Sequence, residues 1–580
     1  MVNANAARHA DDPVTLEIIW GKLQAAADEM GLMLARSSMS PVIYEVLDFA
    51  CGVCDDKAQL VAQTNGITVF TGTFQGHVKA VIGKFGDRMR PGDIYMVNDP
   101  YSGGTHLSDV GIVKPIFVDG ELLAFGIAVA HWTEIGGSVP GSLSPKATEI
   151  FHEGLRFPGL RIYREGERQD DLFDLIAANV RLPKMTLGDL NAEIAAVRIA
   201  DTRIQEMCTK YGAETIRRSF SHLMSQSEKV SRAAIAALPD GVYKASDLID
   251  GDGFTDEQVP VQVEVRIRGD TIAFDFTGTS AQRPGPLNCA RGALLSAVKT
   301  VFKALVDPQA PSNEGWFRPI EIIVPDGTAF SATYPQAVGW YFEMTGQISE
   351  LVWMALAPLV PERFSVGSFM SLCATFFYGK EPRSGDQFVL VEPHMGGWGA
   401  SHDQDGTSVL IGTADGDTYN YSIELLEAKF PIRCNRYAMN VEAGTGKGRY
   451  RGGFGVVREY QMLTDDAHMY ASLGRSIERP WGLEGGGHGS NNYVEVTSNG
   501  DSWRGARVPT TELAEGARVA IVTGSGGGYG DAHLRPPEAV RDDVLDGFIT
   551  VEAARVDYGV IVSQDGTIDS DATQELRLQA

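Results

Sequence analysis

The stretch from Thr105 to Trp132, THLSDVGIVKPIFVDGELLAFGIAVAHW, leaves little freedom in how it folds. Two apolar, β-branched runs flank Val-Asp-Gly-Glu, and Asp-Gly between such runs is the strongest short-range signal for a tight hairpin. With Asp119 and Gly120 as the loop, Val118 pairs with Glu121 and His131 falls opposite Ser108. His106 then shares the face of His131 one diagonal step away, where Cβ atoms lie roughly 7–8 Å apart or somewhat less. Two imidazoles at that separation can converge on one metal ion. Asp109 points to the other face of a regular strand. It joins the histidines only where the strand begins irregularly, which Gly103-Gly104 just upstream allows. Two histidines with carboxylates are the ligands of a divalent Zn, Mn or Fe site, able to polarise a carbonyl or hold a hydroxide near neutral pH. In the plainer reading His106 caps a turn and His131 is half-buried in its strand. Spacing alone does not choose between the two.

The remaining chain mixes helical and strand patterns. Asp12 as N-cap, Pro13 at the first helical position and apolar residues at helical spacing predict a helix through DPVTLEIIWGKLQAAADEMGLMLARSS. From Asp48 to about Ala130 the pattern is short strands and turns, and residues 168–238 read as a long helical region broken at Pro183. GVYKASDLID and VQVEVRIRGDTIAFDFTGT, from Gly241 onward, read as strands. At 580 residues the chain exceeds one compact core. The expected fold is α+β and multidomain, with mixed helices, antiparallel sheets and a β-rich C-terminal third. The expected divisions are residues 12–240 for an N-terminal α+β region with the metal site, 241–440 for a central β-containing region, and 441–580 for a Gly-rich, β-rich region.

Composition removes several function classes. The net charge of −25, with no basic run to offset it, argues against a nucleic-acid partner. No window of 18 apolar residues predicts a membrane span, and the N-terminus has no signal-peptide pattern, so a cytoplasmic protein is expected. Cys51 and Cys54 form a CxxC, but CGVC lies on a strand entering a turn and has no second CxxC, so both are read as buried structural thiols. The glycine-rich pieces between Gly444 and Gly530 match neither a P-loop nor a dinucleotide fingerprint. They are read as turns and tight packing, and any ATP chemistry is expected on another polypeptide.

NDPYSGGTHLSDV, HWTEIGGSVPGS, EGLRFP, NVRLPKMTLGDLNAE, RYRGGFGVVREY, RPWGLEGG and GSGGGYGD follow one another in the order seen in hydantoinase B. The chain thus resembles the hydantoinase B/oxoprolinase family from about residue 12 to 560. That family includes the B components of ATP-dependent hydantoinases and lactamases and is related to subunits of acetone and acetophenone carboxylases. The resemblance implies a divalent-metal subunit in a hetero-oligomer with a hydantoinase A-like partner, which uses ATP to phosphorylate the substrate. It also implies metal ligands at Asp48, His106, Asp109 and His131. Many relatives read roughly HHADIGG where this chain has HWTEIGG, so Trp132 stands for a histidine and Glu134 for an aspartate. Trp132 either lines a hydrophobic substrate pocket or packs in the core.

Other residues carry two readings each. Asp99, before Pro100, makes an Asx turn by default, and orienting His106 is its sharper alternative. Glu153 and His152 are candidates for the same cavity by chain position. His394 and His402 flank a glycine-rich loop, read as structural with ligand approach as the alternative. The expected activity is hydrolysis of a cyclic amide of hydantoin, lactam or 5-oxoproline type. The alternatives are an ATP-dependent ketone carboxylase subunit and a metal-free scaffold.

Overall fold

The computed structural model describes residues 12–255, 257–413, 415–416 and 418–579. Helix α1 (Pro13–Ser37) starts as expected, with the Asp12 carboxylate accepting from the Thr15 amide. The one-turn helix α2 (Pro41–Tyr44) leads into a seven-stranded sheet. Its strands are β1 (Phe49–Asp55), β2 (Leu60–Gln63), β3 (Ile94–Val97), β4 (Asp109–Val118), β5 (Glu121–His131), β6 (Leu160–Arg164) and β7 (Glu167–Arg168). They run in the order β2-β1-β5-β4-β3-β6-β7, every neighbouring pair antiparallel.

The region expected to hold only strands and turns also contains helix α3 (Thr68–Phe85). Its start at Ile67 has no side-chain cap, and Gly72, Gly76 and Gly83 dilute its helical pattern, which is why propensity passes over it. The expected break at Pro183 separates α4 (Asp170–Asn179) from α5 (Pro183–Tyr211). A second break, not anticipated, falls at Gly212, whose φ of 86° and ψ of 142° end α5 before α6 (Ala213–Ala236).

Helices cover the sheet on both faces, so its strands are apolar on both. Ile112, Ala128 and Ala130 share one core with Leu23, Leu190 and Val197 of α1 and α5. Val113, Ile127 and Val129 point the other way, into a core with Phe70 and Phe74 of α3, Ala297 of α7 (Arg291–Val306) and Ile348 of α8 (Tyr341–Leu356). Cys51 and Cys54 are buried free thiols in β1, as expected, and burial raises the pKa of each.

Asp119 and Gly120 form the hairpin turn, with φ values of 52° and 85° as a primed turn needs. Val118 pairs with Glu121 and Phe117 with Leu122. One pair later the register slips: Ile116 faces Ala124, leaving Leu123 as an extra residue in β5. From there His131 lies opposite Asp109, not Ser108. A one-residue bulge thus corrects the register expected from the sequence, and the site depends on it.

Strands Gly241–Ile249, Val259–Arg268 and Thr271–Asp275 form as expected, in a sheet completed by Ile320–Ile323. Two further antiparallel sheets, of four and five strands, are built from segments between Ala374 and Val522. Around them the glycine-rich segments pack backbone to backbone. Gly526, Gly527 and Gly528 donate to the carbonyls of Gly453, Gly367 and Gly487, each at 2.9 Å. A Cβ on Gly526 would lie 2.0 Å from the Trp398 carbonyl oxygen, so the glycine is a packing requirement here. The chain closes with three helices, Pro537–Leu545, Val551–Tyr558 and Ser570–Gln579, in the C-terminal third that the sequence reads as β-rich.

Candidate metal centre

The site is a row across three strands. Asp109 opens β4, His131 closes β5 directly opposite, and Asp48 precedes β1, where the β1–β5 register (Phe49 facing Ala130) continues. The His131 amide donates to the Asp48 carbonyl at 3.1 Å, holding the row together. All three side chains leave the sheet on the α3 and α8 side. His106 reaches them from the turn before β4, whose hydrogen bond runs from the Asp109 amide to the His106 carbonyl at 3.3 Å.

Among the described residues, His106, Asp109 and His131 form a buried cluster with donor atoms close enough to share one ion. His106 Nε2 is 2.9 Å from Asp109 Oδ1, His131 Nδ1 is 3.0 Å from the same oxygen, and the two nitrogens are 3.2 Å apart. Adjacent ligand atoms of an ion with bonds of about 2.1 Å are separated by about 3.0 Å in octahedral and about 3.4 Å in tetrahedral geometry. His106 Nδ1 lies 2.9 Å from the Gly339 carbonyl, to which it can only donate. The other ring nitrogen, Nε2, is thereby turned toward Asp109 and His131. Two ring nitrogens and a carboxylate oxygen thus converge on one point, and a divalent cation suits that arrangement. Thr105 Oγ1 holds the second Asp109 oxygen at 2.5 Å.

Charge distribution supports the same reading. For Asp109, burial opposes ionisation, but the charges and hydrogen bonds of His106 and His131 outweigh it and hold the carboxyl below its ordinary range. For His131, burial disfavours the charged ring, yet the hydrogen bond to Asp109 and the charges of Asp48 and Asp109 raise its pKa. Asp48 is pushed up to about 7 by burial and by the Asp109 charge, against the pull of His131. Its carboxyl belongs to the cavity wall but stands outside the tight group of three.

The cavity over the row has an apolar side of Ile67, Phe70, Leu143, Phe342 and Phe376. Its polar side includes two residues that the sequence reading passed over, Tyr341 and Asp415. The Tyr341 ring stands edge-on to His106 with centroids 4.7 Å apart. Burial and the charges of Asp48, Glu343 and Asp109 raise the Asp415 pKa. Neither residue lies in a pattern with ligand spacing, and chain separation hides both from a sequence reading.

The other candidates divide. Trp132 lies one residue past His131, so the strand's alternation turns it to the opposite face. There it is fully buried and donates from Nε1 to Glu193 Oε2 at 2.8 Å, which makes it core and not pocket. Glu134 pairs with Arg181 at 2.7 Å and accepts from the Gly136 amide, ordering the loop after β5. Asp99 is the plain turn residue, accepting from the Tyr101 amide and Ser102 Oγ. The Gly339 carbonyl, and not Asp99, orients His106. Glu153 is buried behind that carbonyl, whereas His152 sits at the surface 3.7 Å from Glu149. His402 pairs loosely with Asp403 at the surface. His394 is fully buried, and its amide donates to the carbonyl of Leu372 in the cavity wall.

The hydantoinase B/oxoprolinase family profile matches residues 12–532. The chain belongs to that family. It is 33% identical over 595 residues to a protein of a Pseudomonas strain (NS671) named as the B component of a D-/L-hydantoinase, covering 98% of both chains. The crystal structure of the ATP-dependent caprolactamase from Pseudomonas jessenii superposes with a TM-score of 0.90 at 28% identity, covering 98% of this chain and 99% of that one. The nucleotide-free acetone carboxylase structure superposes with a TM-score of 0.91, covering 98% of this chain and 83% of that one. At 19% identity that likeness speaks for the fold alone. The family expected from the sequence motifs is thus the family found, and the mixed α+β architecture agrees. Among the described residues no helix is long and apolar enough to cross a membrane.

Proposed function

We propose that this chain is the metal-bearing subunit of an ATP-dependent cyclic-amide hydrolase, acting on a hydantoin-, lactam- or 5-oxoproline-type ring phosphorylated by a hydantoinase A-like partner. The observation that carries the reading is the convergence of His106 Nε2, His131 Nδ1 and Asp109 Oδ1 within 3.2 Å beside a largely apolar cavity. Asp48, His106, Asp109 and His131 are the residues that would hold the ion. A divalent Zn, Mn or Fe ion there supplies Lewis-acid polarisation and makes a nearby water more acidic.

An amide resists water because its nitrogen donates into the carbonyl. Phosphorylating the carbonyl oxygen on the partner makes the carbon attackable. Water adds to that carbon, the ring C–N bond breaks as nitrogen takes a proton, and a second water cleaves the acyl phosphate left behind into carboxylate and phosphate. The chain's own residues prepare this. Asp109 stays anionic between two imidazoles, and Asp48, with a pKa near neutrality, can take or give a proton at the cavity wall. Phe70, Phe342 and Phe376 keep bulk water from the reacting carbon. The six unpaired cysteines support a reducing, cytoplasmic setting.

The test is reconstitution with the ATP-cleaving partner and a panel of hydantoins, lactams and 5-oxoproline. Ring opening coupled to ATP cleavage, abolished in His131→Ala, is the expected result. ATP turnover that requires bicarbonate and yields a carboxylated ketone would replace this reading with the carboxylase. Undiminished activity of His131→Ala would leave the chain a scaffold.

A further inference from the structure

We propose that Glu153 is a positioning residue: it grips the 338–339 backbone and thereby fixes the carbonyl that orients His106 toward its ion. The inference rests on the metal reading above and deepens it.

Glu153 follows the turn Ile150–His152 and is 1% exposed. Its Oε1 accepts from the amides of Val338 at 3.0 Å and Gly339 at 2.7 Å. The carbonyl of the same Gly339 receives His106 Nδ1 at 2.9 Å. The chain of contacts from Glu153 to the imidazole therefore passes through one glycine. A Cβ there would lie 2.9 Å from Glu153 Oε1 and push the carboxyl aside, so the absence of a side chain leaves room for the contact.

Neighbouring peptide groups of the segment are tied down as well. The Pro335 carbonyl accepts from the Ile150 amide at 2.8 Å, the Ala337 carbonyl from Asn288 Nδ2 at 3.1 Å, and the Trp340 amide donates to the Pro286 carbonyl at 3.1 Å. At Val338 and Gly339 the amides depend on Glu153 instead. Tyr341, two residues on, braces the His106 ring edge-on. The segment thus holds His106 by a hydrogen bond on one nitrogen and by a ring contact.

A structural role alone explains Glu153 poorly. Its second oxygen, Oε2, is buried without a partner, and burial pushes the carboxyl up to about 8 against the two backbone bonds. The side chain is therefore mostly neutral at pH 7, presenting Oε1 as a plain acceptor that glutamine can copy. A metal-bound histidine needs its other ring N–H fixed, and losing such a partner weakens affinity by about 10–100-fold.

The experiment titrates Zn²⁺ and Mn²⁺ into the chelator-treated full chain and records the ¹⁵N signals of His106. Four proteins are compared: parent, Glu153→Gln, Glu153→Ala and Trp132→Phe, the last losing a buried hydrogen bond on the far face of the sheet. Glu153→Ala is expected to weaken binding by about 10–100-fold and to mix the His106 tautomers, while Glu153→Gln keeps parental affinity and the Nδ1–H form. Trp132→Phe changes stability and not affinity. If Glu153→Ala fails to fold, Gly339→Ala disturbs the same contact with Glu153 retained and is expected to give the same loss. Parental affinity and tautomer in Glu153→Ala would overturn the inference, as would equal losses in the Gln and Ala variants. A parent that takes up neither ion would sink the metal reading, and the tautomer signals would still decide whether Glu153 positions His106.

Discussion

The pH dependence of ion binding follows from Asp48. Burial and the Asp109 charge lift its pKa to about 7, so the metal-free site holds a proton there below neutrality. An ion that binds the carboxylate must expel that proton. Each pH unit below 7 then costs about 1.4 kcal/mol, a factor of about ten in affinity. At pH 5 the Asp48 share of the penalty is about 3 kcal/mol, or about 100-fold relative to the plateau above pH 8. His131 also has to lose a proton, and its raised pKa adds a slope of its own. Comparison with Asp48→Asn separates the two. Asn binds more weakly on the plateau but has no proton to lose, and without the Asp48 charge the His131 pKa falls, flattening the variant's profile further. The affinity ratio of parent to variant should shrink by at least about 100-fold between pH 8 and pH 5. Calorimetric titration with Zn²⁺ or Mn²⁺ at four pH values measures it. Parallel profiles would mean that Asp48 is ionised throughout, and would refute its place in the buried row.

Further outcomes follow from packing. Trp132→Phe should cost about 1–3 kcal/mol by stranding the Glu193 carboxyl, read as a lowered denaturation midpoint with unchanged metal affinity. Gly526→Ala should abolish folding, seen as lost soluble yield, because the Trp398 backbone cannot retreat from a Cβ 2.0 Å away. Gly21→Ala, in the middle of α1 with nothing within 4 Å, should instead stabilise by up to about 1 kcal/mol in thermal denaturation. Cys51 and Cys54 should resist iodoacetamide in the native protein and react only after unfolding, since burial keeps both thiols protonated.

The hairpin was legible because Asp-Gly between β-branched runs has one good solution, and α1 because Asp12 and Pro13 mark its start. The register was not. Leu123 looks like any strand leucine, and nothing local signals that it is the extra residue that turns Asp109 into the partner of His131. Asp48 was reached only through family resemblance, since its place beside His131 is set by pairing between two strands distant in the chain. Trp132 became readable once the face of His131 was known. The Gly339 carbonyl, Tyr341 and Asp415 arrive from distant segments, and backbone carbonyls carry no sequence signature. Helix α3 shows the converse limit: its apolar face is buried between the sheet and α7, so tertiary packing overrides a weak helical sequence.

Elemental analysis of the chain purified without chelator, beside a His106→Ala variant, tests the metal centre most directly. About one Zn, Mn or Fe per chain in the parent, lost in the variant, is the predicted result. A parent without metal, even after co-purification with its ATP-cleaving partner, would contradict it and place the chemistry elsewhere in the complex.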